Sequence, residues 1–77
     1  MKPTLEQSNN FLAGKRIQGI ALQHNDYVKV VSGSCAPNAG SLISVEELGE
    51  DPLYLVELES GEDKLIRQSN LEFSAHD

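Results

Sequence analysis

The run Leu53-Tyr54-Leu55-Val56-Glu57-Leu58-Glu59 constrains the fold most. Its period of two sends Tyr54, Val56 and Leu58 to one side and Glu57 and Glu59 to water, the mark of a half-buried strand. Shorter runs share the character. In Tyr27-Val28-Lys29-Val30-Val31, Val28 and Val30 face one side and Lys29 the other. In Leu42-Ile43-Ser44-Val45 the alternation puts Ile43 and Val45 on one face. Lys64 to Arg67 carries Leu65 and Ile66, and Ile17, Ile20 and Leu22 form a candidate extended segment that Gly19 weakens.

Turn chemistry separates these runs. His24-Asn25-Asp26 is a turn, Gly33 to Gly40 a loop containing Pro37 and Asn38, Glu46 to Pro52 an acidic connection, and Ser60-Gly61-Glu62-Asp63 a hairpin. Gln68-Ser69-Asn70 reads as one tight helical turn, after which Leu71 and Phe73 are expected to close the core. Short strands so spaced imply a small antiparallel sheet, and curling it into a barrel buries one face and removes most of the edge problem. The expected fold is all-β: a five-stranded, partly open small barrel.

Residues 1–16 are a lead-in of different composition, 17–74 the barrel and 75–77 a tail. Thr4 stands three residues before Gln7, the spacing of a capping box, and Pro3 is compatible with a first helical turn. Leu5, Leu12 and Phe11 would form a narrow apolar stripe that Gly14 ends, while Ser8, Asn9 and Asn10 are weak helix formers. The lead-in is either a short helix or disordered.

The chain has 77 residues. A domain of this size buries roughly 60% of the surface its unfolded chain exposes, so its core is modest. Phe11, Phe73, Tyr27 and Tyr54 are the only aromatics, and Cys35 has no second cysteine to pair with. A deep cavity that excludes water is hard to build on this scale, so no catalytic residue and no cofactor are expected. The lone cysteine, and a start without an apolar leader, lead us to expect the cytoplasm; no apolar run is long enough to span a membrane.

The formal net charge is −6, which disfavours binding to a phosphate backbone. The imbalance is local: from Glu46 to Asp63 there are eight acidic residues and no basic one. The bland reading of that stretch is a solvated face.

Asp26-Tyr27-Val28-Lys29-Val30, Gly33, Gly40 and then Ile43 and Val45 resemble the opening of a KOW-type SH3-like barrel, a motif of ribosomal proteins and transcription elongation factors. Tyr54-Leu55-Val56-Glu57-Leu58, the hairpin and the QSNLE segment resemble the back half of the same barrel, so the resemblance covers roughly residues 24–73. It implies an SH3-like fold, with Gly33 and Gly40 as turn formers. Where that family has a basic-glycine pair, this chain has Ala36-Pro37, so the residues credited with RNA contact are not carried over. The peptide-binding SH3 family fits worse, because its proline-recognition groove is lined with aromatics and this chain has no tryptophan.

His24, His76 and Cys35 do not have the spacing of a zinc site, and Glu46, Glu47, Glu50 and Asp51 do not have that of a calcium loop, so no metal is expected. A reactive Cys35 would need a base such as His24 beside it. Lys15, Arg16 and Lys29 read as ordinary surface cations. The expected function is that of a non-enzymatic interaction module docking on a protein with a basic surface. Glu46, Glu47, Glu50, Asp51, Asn38 and Tyr27 are the binding candidates, Tyr54 a second aromatic anchor if exposed, and Gly33, Gly40 and Gly61 structural turns. A KOW-like barrel associated with RNA, the ribosome or transcription is the alternative, and an inhibitor or immunity-type protein a weaker one. The oligomeric state stays open between monomer and homodimer.

Overall fold

The computed structural model describes residues 1–17, 19–20, 22–34 and 36–73. Cys35 and the tail at 75–77 therefore lie outside the described residues. The chain forms a helix α1 (Leu5–Leu12), then strands β1 (Tyr27–Val30), β2 (Asn38–Glu47), β3 (Leu53–Leu58) and β4 (Asp63–Arg67), a single 3-10 turn (Gln68–Asn70) and β5 (Leu71–Phe73). All neighbouring strands are antiparallel, in one sheet of order β4-β3-β2-β1-β5. The sheet stays open, with β4 and β5 at its edges. This strand order is consistent, at a coarse level, with an SH3-like fold.

The alternation expected of β1 and β3 holds. Val28, Val30, Tyr54, Val56 and Leu58 are buried, whereas Lys29 and Glu57 are exposed. In β2 the alternation breaks. Leu42 and Val45, not Ile43 and Val45, are the buried pair, because the register slips between Leu42 and Ser44 opposite β3. Such a bulge sets two residues against one, so two buried positions can be three apart instead of two. A second slip between Val45 and Glu47 bends the far end of the strand.

Ile17, Ile20 and Leu22 are not a strand. Ile20 N–H donates to the Ile17 carbonyl (3.1 Å), and Gly19 at φ +85° completes a tight turn. Both isoleucines are nonetheless core residues, and Leu22 packs against that core. The expected Gly33–Gly40 loop is also shorter than its glycines imply. Gly33 turns at φ +90°, but Gly40 is a buried residue of β2. Its role is close approach: a Cβ there would collide with the Glu57 carbonyl oxygen of β3. Leu71 is half-buried as expected of a closing residue, but Phe73 is 56% exposed, because β5 is an edge with no strand beyond it.

The lead-in is helical. Thr4 Oγ1 accepts from Gln7 N–H (3.1 Å) while Gln7 Oε1 accepts from Thr4 N–H (2.8 Å), a reciprocal capping box. Gly14 at φ +79° follows the helix end. Phe11 alone anchors α1 in the core; Leu5 and Leu12 of the expected stripe are exposed. At eight residues the helix is too short to persist on propensity, so the Phe11 contact holds it. Among the described residues, no helix is long and apolar enough to cross a membrane.

Candidate functional site

The eight carboxylates between Glu46 and Asp63 divide into two groups with different surroundings. The first follows β2. Glu46 accepts from Ser44 Oγ (2.6 Å), and Glu47 pairs with Arg67 Nη1 (3.0 Å). Asp51 accepts from Ser69 at both its backbone N–H (2.8 Å) and its hydroxyl (2.7 Å). These bonds to Ser69, and the nearby Arg67, hold the Asp51 carboxyl below the usual carboxylate range. Of the four acids expected to bind a partner, three thus serve local structure: Asp51 ties the β2–β3 connection to the 3-10 turn, and Glu47 ties β2 to β4. Glu50 is the exposed member.

The second group lies at the β3–β4 hairpin, turned by Gly61 at φ +94°. Glu57, Glu59, Glu62 and Asp63 are all exposed. Cross-strand register sets Tyr27, Ser41, Glu57 and Asp63 in one row across β1, β2, β3 and β4. The Tyr27 hydroxyl donates to Glu59 Oε1, which draws the end of this row to the hairpin. That bond to a carboxylate, above all, raises the phenol's pKa, so Tyr27 stays neutral. Lys64 lies 3.6 Å from Glu62 and is the one cation of the hairpin itself. Residues 57, 59, 62 and 63 were the part of the acidic stretch not singled out from sequence. The signal was present for three of them: the outward phase of β3 carries Glu57 and Glu59, and the register sets Asp63 opposite Glu57 on the same face, whereas Glu62 stands opposite Leu58 in the other phase.

The remaining candidates separate from this surface. Tyr54 is fully buried, its hydroxyl donating to Gln68 Oε1 (2.5 Å), so it is no anchor. Asn38 begins β2 and accepts from the adjacent Ala39 N–H (3.0 Å). Pro37 follows a cis peptide bond. The His24 ring sits edge-on to Phe11, with centroids 6.1 Å apart, and its Nδ1 lies 2.8 Å from the Ile43 carbonyl oxygen. His24 is thereby tied to the fold, and Cys35 lies outside the described residues. Among the described residues, no group of three His, Cys, Asp or Glu is placed to hold a metal.

The surface carries shallow grooves. One of about 370 Å³ runs between Arg16, Leu22, Gln23, Asp26 and the exposed Phe73. A narrower crevice of about 120 Å³ separates the outer side of β4 from the Ser32–Ser34 segment. The chain matches no family model, no curated protein and no solved structure.

Proposed function

We propose that the chain is a non-enzymatic docking module that receives a basic segment of another protein on the patch formed by Tyr27, Glu57 and Glu59. One observation carries this reading: the Tyr27 hydroxyl is bonded to Glu59 on the exposed side of the sheet, in the row that also holds Glu57. A tyrosine gives a partner apolar area at low entropic cost, and carboxylates beside it steer and orient cations. Glu57 forms no ion pair among the described residues. The site is therefore charged but not neutralised by its own chain.

The test is affinity capture with the wild type and with a Glu57→Lys/Glu59→Lys variant, followed by titration of the purified captured protein over a range of salt. The expected result is a partner that weakens as salt rises and loses at least about tenfold in affinity, ~1.4 kcal/mol, on the double reversal. Capture and affinity indifferent to both would sink the reading. The KOW-like alternative draws support from the strand order and from the exposed Lys29, but Glu72 stands directly opposite that lysine in β5. Low-salt titration with single- and double-stranded RNA decides it: micromolar or tighter binding, abolished by Lys29→Glu, favours RNA over protein.

A further inference from the structure

The outer edge of β4 is self-complementary, and we propose that it pairs with the same edge of a second copy of this chain about a two-fold axis through Leu65. The phase of the ladder sets which groups face outward. Leu58 N–H donates to the Glu62 carbonyl (2.8 Å), and Gln68 N–H to the Pro52 carbonyl (2.8 Å). Bonded and non-bonded pairs alternate along an antiparallel ladder. Val56–Lys64 and Tyr54–Ile66 are therefore the bonded pairs, and the N–H and C=O groups of Asp63, Leu65 and Arg67 point away from β3. The side chains of these three share one face of the sheet, opposite to the buried Ile66, and Leu65 is 59% exposed.

Antiparallel pairing about Leu65 sets Leu65 against its own copy and Asp63 against Arg67 of the second copy, twice by symmetry. All three positions have outward backbone groups on both chains, so this register offers about six inter-chain hydrogen bonds; the Ser32–Ser34 segment, across the narrow crevice beside β4, has to move outward for the second strand to enter. A two-residue slip in either direction removes both charge pairs and sets Leu65 opposite a charge. The charges thus oppose other pairings of this edge, as edge charges do, while one register satisfies them.

The Asp63 carboxylate is available to such a partner. It stands opposite Glu57, a like-charge pair that costs stability, and among the described residues it forms no hydrogen bond or ion pair. Arg67 holds Glu47 and the Asp51 carbonyl through Nη1, which leaves other N–H groups of its five to bind a second carboxylate. The opposite edge, β5, has three residues and offers only Leu71 and Phe73 in the outward phase, with no matching charges. The pairing leaves Glu57 and Glu59 facing solvent, so it stands independently of the docking reading.

The test is sedimentation equilibrium of the full chain from micromolar to millimolar concentration. One short strand gives a small interface, so the expected species is a dimer of the 8.4 kDa chain dissociating in the micromolar range. Asp63→Arg and Arg67→Asp should each raise the dissociation constant at least about tenfold. An equimolar mixture of the two variants should dimerise again, because Arg–Asp pairs reform across the mixed interface. Leu65→Cys in a Cys35→Ser background should oxidise to a covalent dimer, since bonded cross-strand pairs lie within disulfide reach; this arm holds even where Arg67→Asp weakens the fold. A chain monomeric throughout, a larger closed or open assembly, or a dimer indifferent to Asp63→Arg would each overturn the proposal.

Discussion

Gly40 of β2 lies directly against the backbone carbonyl of Glu57 on β3, with no room for a Cβ between them. The neighbour is backbone held in a ladder, so it cannot swing aside as a side chain would. Gly40→Ala is expected to cost about 3 kcal/mol, the upper end for overpacking. Urea denaturation should show a lower midpoint with an unchanged slope, because the native and unfolded states expose the same surface as before. Gly40→Ala with wild-type stability would show that β2 and β3 do not meet this closely.

The pair Asp51–Ser69 makes a prediction in acid. The native carboxyl is held below its ordinary value, chiefly by the Ser69 hydroxyl and then by the Ser69 N–H. An unfolded Asp titrates near ~3.9, so between that value and the depressed native one the unfolded chain binds the extra proton. The stabilisation is complete above the unfolded value and lost as pH falls through the native one. Asp51→Asn should be less stable than wild type at neutral pH, and the difference should shrink in acid. Thermal melts across that range read it directly; a constant difference would mean that Asp51 acts by shape rather than charge.

Tyr54 gives the opposite limb. Burial, followed by the charges of Asp26 and Asp51, pushes its phenol up to about 12. Unfolded tyrosine releases its proton near ~10, so stability is complete below that pH and declines as pH rises toward the native value. Tyr54→Phe should cost about 1 kcal/mol at neutral pH by removing the bond to Gln68, and should flatten the alkaline decline. Ultraviolet absorbance of the phenolate, followed with pH, checks the wild type independently.

The strands β1, β3 and β4, the hairpin at Gly61 and the 3-10 turn were legible because each is set by local alternation or local turn chemistry. What could not be read depended on partners distant in sequence. The bulge in β2 exists only opposite β3, and no alternation within Leu42–Val45 announces that Leu42 takes the place of Ile43. Gly40 looks like a turn former until Glu57 is brought against it. The exposure of Phe73 follows from β5 being an edge, a property of the whole sheet. For the candidate site, charge density marked only the 46–63 stretch as a whole. It did not separate carboxylates consumed locally, such as Asp51 and Glu47, from the hairpin acids left facing water.

Phe11 tests whether α1 belongs to the domain or merely precedes it. Its ring is 1% exposed, edge-on to His24 and tilted against Tyr54 at a centroid distance of 6.5 Å. Phe11→Ala removes the one buried side chain of the helix and should cost about 3–5 kcal/mol. Thr4→Ala loses only a cap, worth about 1 kcal/mol. For a domain this small each kcal/mol lowers the melting temperature by roughly 4–8 °C, so the two variants should separate clearly in a thermal scan. Hydrogen exchange distinguishes the two ways Phe11→Ala can act. Protection lost in α1 and in Val28, Val56 and Ile66 together marks one cooperative unit, the outcome expected from their shared core. Protection lost in α1 alone, with the sheet unchanged, would make the helix a separable appendage.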